Sequence, residues 1–111
     1  MKQVEADADG FYTVGKAAGV LEGVLTAVKL NNHRFLLTRY DGRLYAFSTI
    51  CPHAAANMAD GSLHRWKITC PDHDYCFDIR NGRILWPEDE HLRLRTYPIR
   101  EEAGWVKVKL P

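Results

Sequence analysis

Cys51-Pro52-His53 and Cys70-Pro71-Asp72-His73 place two of the three cysteines and two of the five histidines in paired spacings, C-x-H and C-x-x-H. Thiolates and imidazoles set out in this way can hold a two-iron, two-sulfide cluster, with thiolates on one iron and imidazoles on the other. The same four donors also suit a structural zinc ion. Zinc sites usually take their cysteines as a C-x-x-C knuckle, whereas each segment here offers one Cys and one His, with a Pro directly after the Cys. A single residue between Cys51 and His53 makes them awkward chelators of one tetrahedral ion but suits two neighbouring irons, while the longer gap from Cys70 to His73 fits either metal.

Ligand type also sets the chemistry. Two thiolates and two neutral imidazoles leave an oxidised cluster close to neutral, about two charge units less negative than four thiolates would, so it is easier to reduce. An exposed imidazole is a good exit for an electron, and because it titrates it couples electron affinity to proton affinity. The third cysteine, Cys76, has no unclaimed cysteine to pair with and reads as a plain thiol in or beside a strand. His33, His64 and His91 lie in polar or turn contexts and read as surface residues.

The two motifs resemble the ligand loops of Rieske [2Fe-2S] proteins, and most of the chain is similar to the small soluble Rieske ferredoxins. Besides the two loops, separated by Ala54 to Thr69, the resemblance rests on Phe77-Asp78 and Asn81-Gly82 after the second loop. Leu21-Glu22-Gly23, Asp41-Gly42 and Tyr97-Pro98-Ile99 extend it to roughly residues 11 to 110. It implies that Cys51 and Cys70 bind the inner iron of one [2Fe-2S] cluster, and that His53 and His73 bind the outer, more exposed one. It further implies a one-electron carrier, not catalytic alone, that passes electrons from a flavin-containing reductase to a terminal oxygenase or dioxygenase through transient contacts near His53 and His73. The alternative on the same resemblance is a small Rieske-like subunit of a larger reductase, such as nitrite reductase; a structural zinc module is the third reading.

Departures from the family pattern carry information. The high-potential Rieske subunits have extra cysteines forming a disulfide across the loops, and hydroxyl donors to the cluster sulfurs. Here Pro71 stands at the position of a second-loop disulfide cysteine, the run after His53 is Ala54-Ala55-Ala56, and Tyr75 stands where a Ser donor is expected. Fewer donors to the reduced state place the potential towards the low end of the Rieske range, nearer about −150 mV than about +300 mV. Ala55 and Asp74 replace expected glycines, and Asp tolerates the left-handed region better than Ala does. Asp72 and Asp74 flank His73 with negative charge.

The remaining composition limits the function classes. With 111 residues the chain has one domain's length, and no further segment offers the two histidines and carboxylate of a mononuclear iron. Its eight glycines fall singly, so no nicotinamide or flavin fingerprint is present, and the net charge of +1 provides no basic stripe for nucleic acid. No run approaches a membrane span, and Met1 to Glu5 is polar rather than an apolar signal core, which makes the cytoplasm the expected compartment.

Strands must hold the two loops. Leu25 to Leu30, Phe35 to Tyr40 and Leu44 to Ser48 read as a meander turned at Asn31-Asn32 and Asp41-Gly42. Val106, Val108 and Leu110 alternate with Lys107 and Lys109 as a half-buried strand, preceded by a turn over Glu101 to Gly104. The expectation is a single all-β domain over residues 1–111, a small antiparallel sandwich or barrel with a cluster-binding subdomain at about 50–77. Pro52, Ala54, Ala55, Ala56, Met58 and Pro71 would then form a small apolar patch around the outer iron, and Trp66 and Trp86 read as packing residues.

Overall fold

Short strands and tight turns account for nearly all the regular structure. The computed structural model describes residues 5–111, so Met1 to Val4, most of the segment read above for a signal core, lie outside the described residues. The strands are β1 (Phe11–Lys16), β2 (Thr26–Leu30), β3 (His33–Tyr40), β4 (Arg43–Ser48), β5 (Ser62–His64), β6 (Lys67–Thr69), β7 (Cys76–Asp78), β8 (Ile84–Trp86), β9 (Thr96–Tyr97), β10 (Ile99–Glu102) and β11 (Trp105–Lys109). Among the described residues the helical pieces are two three-residue 3-10 turns, Ala17–Gly19 and Met58–Asp60, and no helix is long and apolar enough to cross a membrane.

Three antiparallel sheets result, ordered β1-β11-β10, β2-β3-β4-β9 and β5-β6-β7-β8. The meander read from the sequence is present as β2-β3-β4, with Asn31, Asp41 and Gly42 at positive φ in its two turns. Glu22 braces the second turn, its carboxylate accepting from the amides of Asp41 at 2.6 Å and Gly42 at 3.1 Å. The third sheet, which reaches Trp86, is built from three-residue strands. Alternation over three residues gives no usable period, which is why periodicity did not locate them.

β3 joins two cores. Phe35, Leu36, Leu37 and Thr38 are all buried, because both faces of this strand are covered. Phe35 and Leu37 pack with Ala46, Val106 and Val108 between the first two sheets. Leu36 and Phe47 face the other way, onto Ile68, Phe77, Ile79 and Leu94 under the third sheet, and Cys51, Cys70 and Met58 belong to that second core. The edge of Trp66 meets Tyr40 at 5.7 Å between centroids, and the Arg80 guanidinium lies 4.7 Å over the Trp66 ring, tying the second and third sheets together.

Candidate metal centre

The two loops that carry the candidate ligands share one backbone plan. In each, the amide of the cysteine donates to the carbonyl five residues on: Cys51 to Ala56 at 2.9 Å and Cys70 to Tyr75 at 2.7 Å. The fourth residue after each cysteine is left-handed, Ala55 with φ 54° and Asp74 with φ 57°. These are the two positions where the sequence departs from expected glycines. The structure therefore confirms the backbone demand and shows that Ala55 meets it with a Cβ in place. His73 is left-handed as well, with φ 64°.

Anchoring beneath the loops comes from the second core. Met58 fills it at 0% exposure, so the exposed patch read from the sequence loses this member. The physical reason is the 3-10 turn Met58–Asp60, capped by the Asn57 side chain accepting from the Ala59 amide, which turns Met58 inward. Gly82 fixes the far side: its carbonyl accepts from the Leu94 amide at 2.9 Å, and a Cβ there would collide with the Leu94 carbonyl oxygen. Asp78, also buried, accepts from the Arg80 guanidinium and amide. Burial raises its carboxyl, but Arg80 more than offsets this and holds it below the usual carboxylate value.

The four candidate donors sort by depth. Cys51 and Cys70 are each 1% exposed, whereas His53 and His73 are exposed at the loop tips. The histidine rings meet edge to face with centroids 5.2 Å apart. Burial pushes the Cys70 thiol up to about 11, and the hydrogen-bonded Cys51 thiol adds to the rise. Two thiolates at such a position need a cation to compensate their charge. Among the described residues no three His, Cys, Asp or Glu side chains close on a single metal position. The donors instead form an inner thiol pair and an outer imidazole pair, which is the division a two-iron cluster asks for and a single tetrahedral ion does not.

Cys76 lies half-buried in β7, its Sγ 3.3 Å from Thr69 Oγ1 and donating to the Asp74 carbonyl at 3.3 Å, consistent with a packed thiol. His64 and His91 are exposed and His33 is half-buried in β3. Two features escaped the sequence reading. The Tyr75 ring stacks on His53, centroids 3.8 Å apart and planes 15° from parallel, while its hydroxyl donates to Glu90 at 3.1 Å. Trp86 meets Tyr75 edge-on at 6.2 Å yet stays 53% exposed. Burial and then Glu90 raise the Tyr75 hydroxyl above its ordinary pKa.

A small all-β protein that presents two imidazoles over two buried thiols, on paired loops of matching backbone, has the form of a mixed-ligand iron–sulfur carrier. Comparison with known proteins agrees. The family described as the Rieske [2Fe-2S] domain matches residues 10–98. The chain belongs to this family, and its cofactor is a Rieske-type [2Fe-2S] cluster, which closes the zinc reading.

Among curated relatives, the ferredoxin component of the naphthalene 1,2-dioxygenase/salicylate 5-hydroxylase systems of Ralstonia sp is 36% identical over 90 residues, covering 80% of this chain and 85% of its own length. The solved Sphingomonas yanoikuyae B1 ferredoxin superposes with a TM-score of 0.79 at 29% identity, over 89% of this chain and 97% of its own. A chain from the reduced complex between oxygenase and ferredoxin in carbazole 1,9a-dioxygenase gives a TM-score of 0.81 at 27% identity over 90% of this chain. This chain spans only 28% of that one's length.

Proposed function

We propose that this protein is a Rieske ferredoxin that carries single electrons from a flavin-containing reductase to a terminal oxygenase. The observation that carries the reading is the sorting of the donors: buried Cys51 and Cys70 beneath exposed, adjacent His53 and His73. In this reading the two thiolates hold the inner iron and the two imidazoles the outer one. When bound, the cluster takes up and releases one electron. The chain's own part is to bury the thiolates, bring the imidazole edges to the surface and keep water from the inner donors.

The whole chain acts as one domain, with the two ligand loops and the third sheet as its cluster-binding portion. Partners of both kinds meet the loop tips, where exposed Ala54, Ala55 and Pro71, half-buried Pro52 and 57%-exposed Ile50 frame the histidines. Such a patch suits the small, short-lived contacts of electron transfer. The carrier works in the cytoplasm. Relatives named as ferredoxin components of oxygenase systems favour this reading over a subunit of a larger reductase.

The test is stopped-flow mixing of the reduced protein with candidate terminal oxygenases, following bleaching and recovery of its visible absorption. Re-oxidation in one-electron stoichiometry, slowed by Ala55→Asp with little shift of the potential, is the expected result. Copurification in a stable complex with a large reductase subunit would overturn it.

A further inference from the structure

We propose that Tyr75 is a positioning residue for His53: its ring is a fixed plate that sets the plane of the His53 imidazole and keeps water off one face of it. The proposal rests on the reading above in which His53 is a ligand of the outer iron. His53 belongs to the first loop and Tyr75 to the second, so the stack is a direct, non-covalent tie between them. At 3.8 Å and 15° the rings lie face to face, which leaves no room for water between them.

The plate is itself held on two sides. Its hydroxyl donates to Glu90 Oε1 at 3.1 Å, and Trp86 meets it edge-on at 6.2 Å. On the other side, His73 meets His53 at 90° with centroids 5.2 Å apart. Two neighbours of different orientation therefore bound the His53 ring, and of these Tyr75 is the one stacked face to face with it. Glu90, the last residue of the acidic run Glu88-Asp89-Glu90, supplies the tether of the plate.

Two physical consequences follow for a loaded protein. An imidazole whose plane is fixed gives one electronic environment, and one freed from its plate samples several. Water admitted to its face stabilises the additional negative charge of the reduced state, which raises the reduction potential. Tyr75→Phe keeps the plate and loses only the tether, whereas Tyr75→Leu removes the plate.

The experiment compares wild type, Tyr75→Phe and Tyr75→Leu by electron paramagnetic resonance of the reduced proteins and by equilibrium dye titration of the potential. The expected result is a potential shifted upward and broadened g features in Tyr75→Leu, with both near wild type in Tyr75→Phe. Should Tyr75→Leu fail to assemble a cluster, Tyr75→Met, closer in volume and unable to stack, carries the same comparison. Leu or Met variants with wild-type potential and g features would overturn the positioning role, as would a Phe variant displaced as far as Leu. A wild type without a histidine-ligated signal would instead overturn the ligand reading on which the proposal stands.

Discussion

Ala55→Gly is predicted to make the protein more stable, although it removes a methyl group. Ala55 sits at φ 54° on an exposed loop tip, with its amide donating to the Cys51 carbonyl at 2.9 Å. A Cβ in the left-handed region costs about 1–2 kcal/mol. Glycine returns roughly 0.4–1 kcal/mol of this through its greater freedom in the unfolded chain. No buried contact is lost at an exposed methyl, so the net gain is about 1 kcal/mol. For a chain of 111 residues that raises the thermal midpoint by roughly 4 °C.

The assay is melting of the oxidised, cluster-loaded protein at one concentration and scan rate, followed by circular dichroism and visible absorption together. Ala54→Gly is the control: Ala54 is equally exposed and does not have a positive φ, so the same change there lowers the midpoint. A midpoint for Ala55→Gly at or below wild type, or one that matches Ala54→Gly, would refute the strain argument.

The opposite change at Gly82 should be costly: at φ 80° a Cβ is strained and also meets the Leu94 carbonyl oxygen. Gly82→Ala is therefore expected to lose roughly 2–4 kcal/mol in urea unfolding, and an unchanged midpoint would count against the packing described. Thr38 buries a hydroxyl for which no partner is found among the described residues, so Thr38→Val should gain about 1–2 kcal/mol; a less stable variant would mean that the hydroxyl is satisfied after all. Asp78 keeps its charge to lower pH in the folded protein than in the unfolded chain. Its contribution is therefore complete above the unfolded carboxylate's titration, near pH 4, and drains away as pH falls through the lower folded value. Asp78→Asn should cost about 1–3 kcal/mol at neutral pH, and the stability curves of variant and wild type should converge in acid; parallel curves would refute the linkage.

Cys51, His53, Cys70 and His73 stood out as candidate donors because metal chemistry is written in residue type and spacing, and the two loops repeat one short pattern. The turns at Asn31-Asn32 and Asp41-Gly42 were legible for a related reason, since few residues accept the left-handed backbone that such hairpins need. Ala55 showed what the same reasoning can miss. A glycine was expected there, the backbone does take the glycine-like conformation, and the sequence meets the requirement with a strained alanine. What stayed hidden depends on long-range placement. The three-residue strands β5 to β8 are too short to show a period, Met58 is turned inward by a capped 3-10 turn, and the stack of Tyr75 on His53 joins residues 22 positions apart in sequence. Nothing in local composition marks Tyr75 as a neighbour of His53, or Glu90 as its tether.

The most direct test of the central claim is the electron paramagnetic resonance spectrum of the anaerobically prepared, dithionite-reduced protein. A rhombic signal with the low average g of histidine-ligated clusters is predicted, and it should be lost or converted to a thiolate-type signal in His73→Cys. A wild-type signal of the all-thiolate kind, or a colourless protein that retains zinc with no loss of iron during preparation, would contradict the assignment of Cys51, His53, Cys70 and His73 as the ligands of a Rieske cluster.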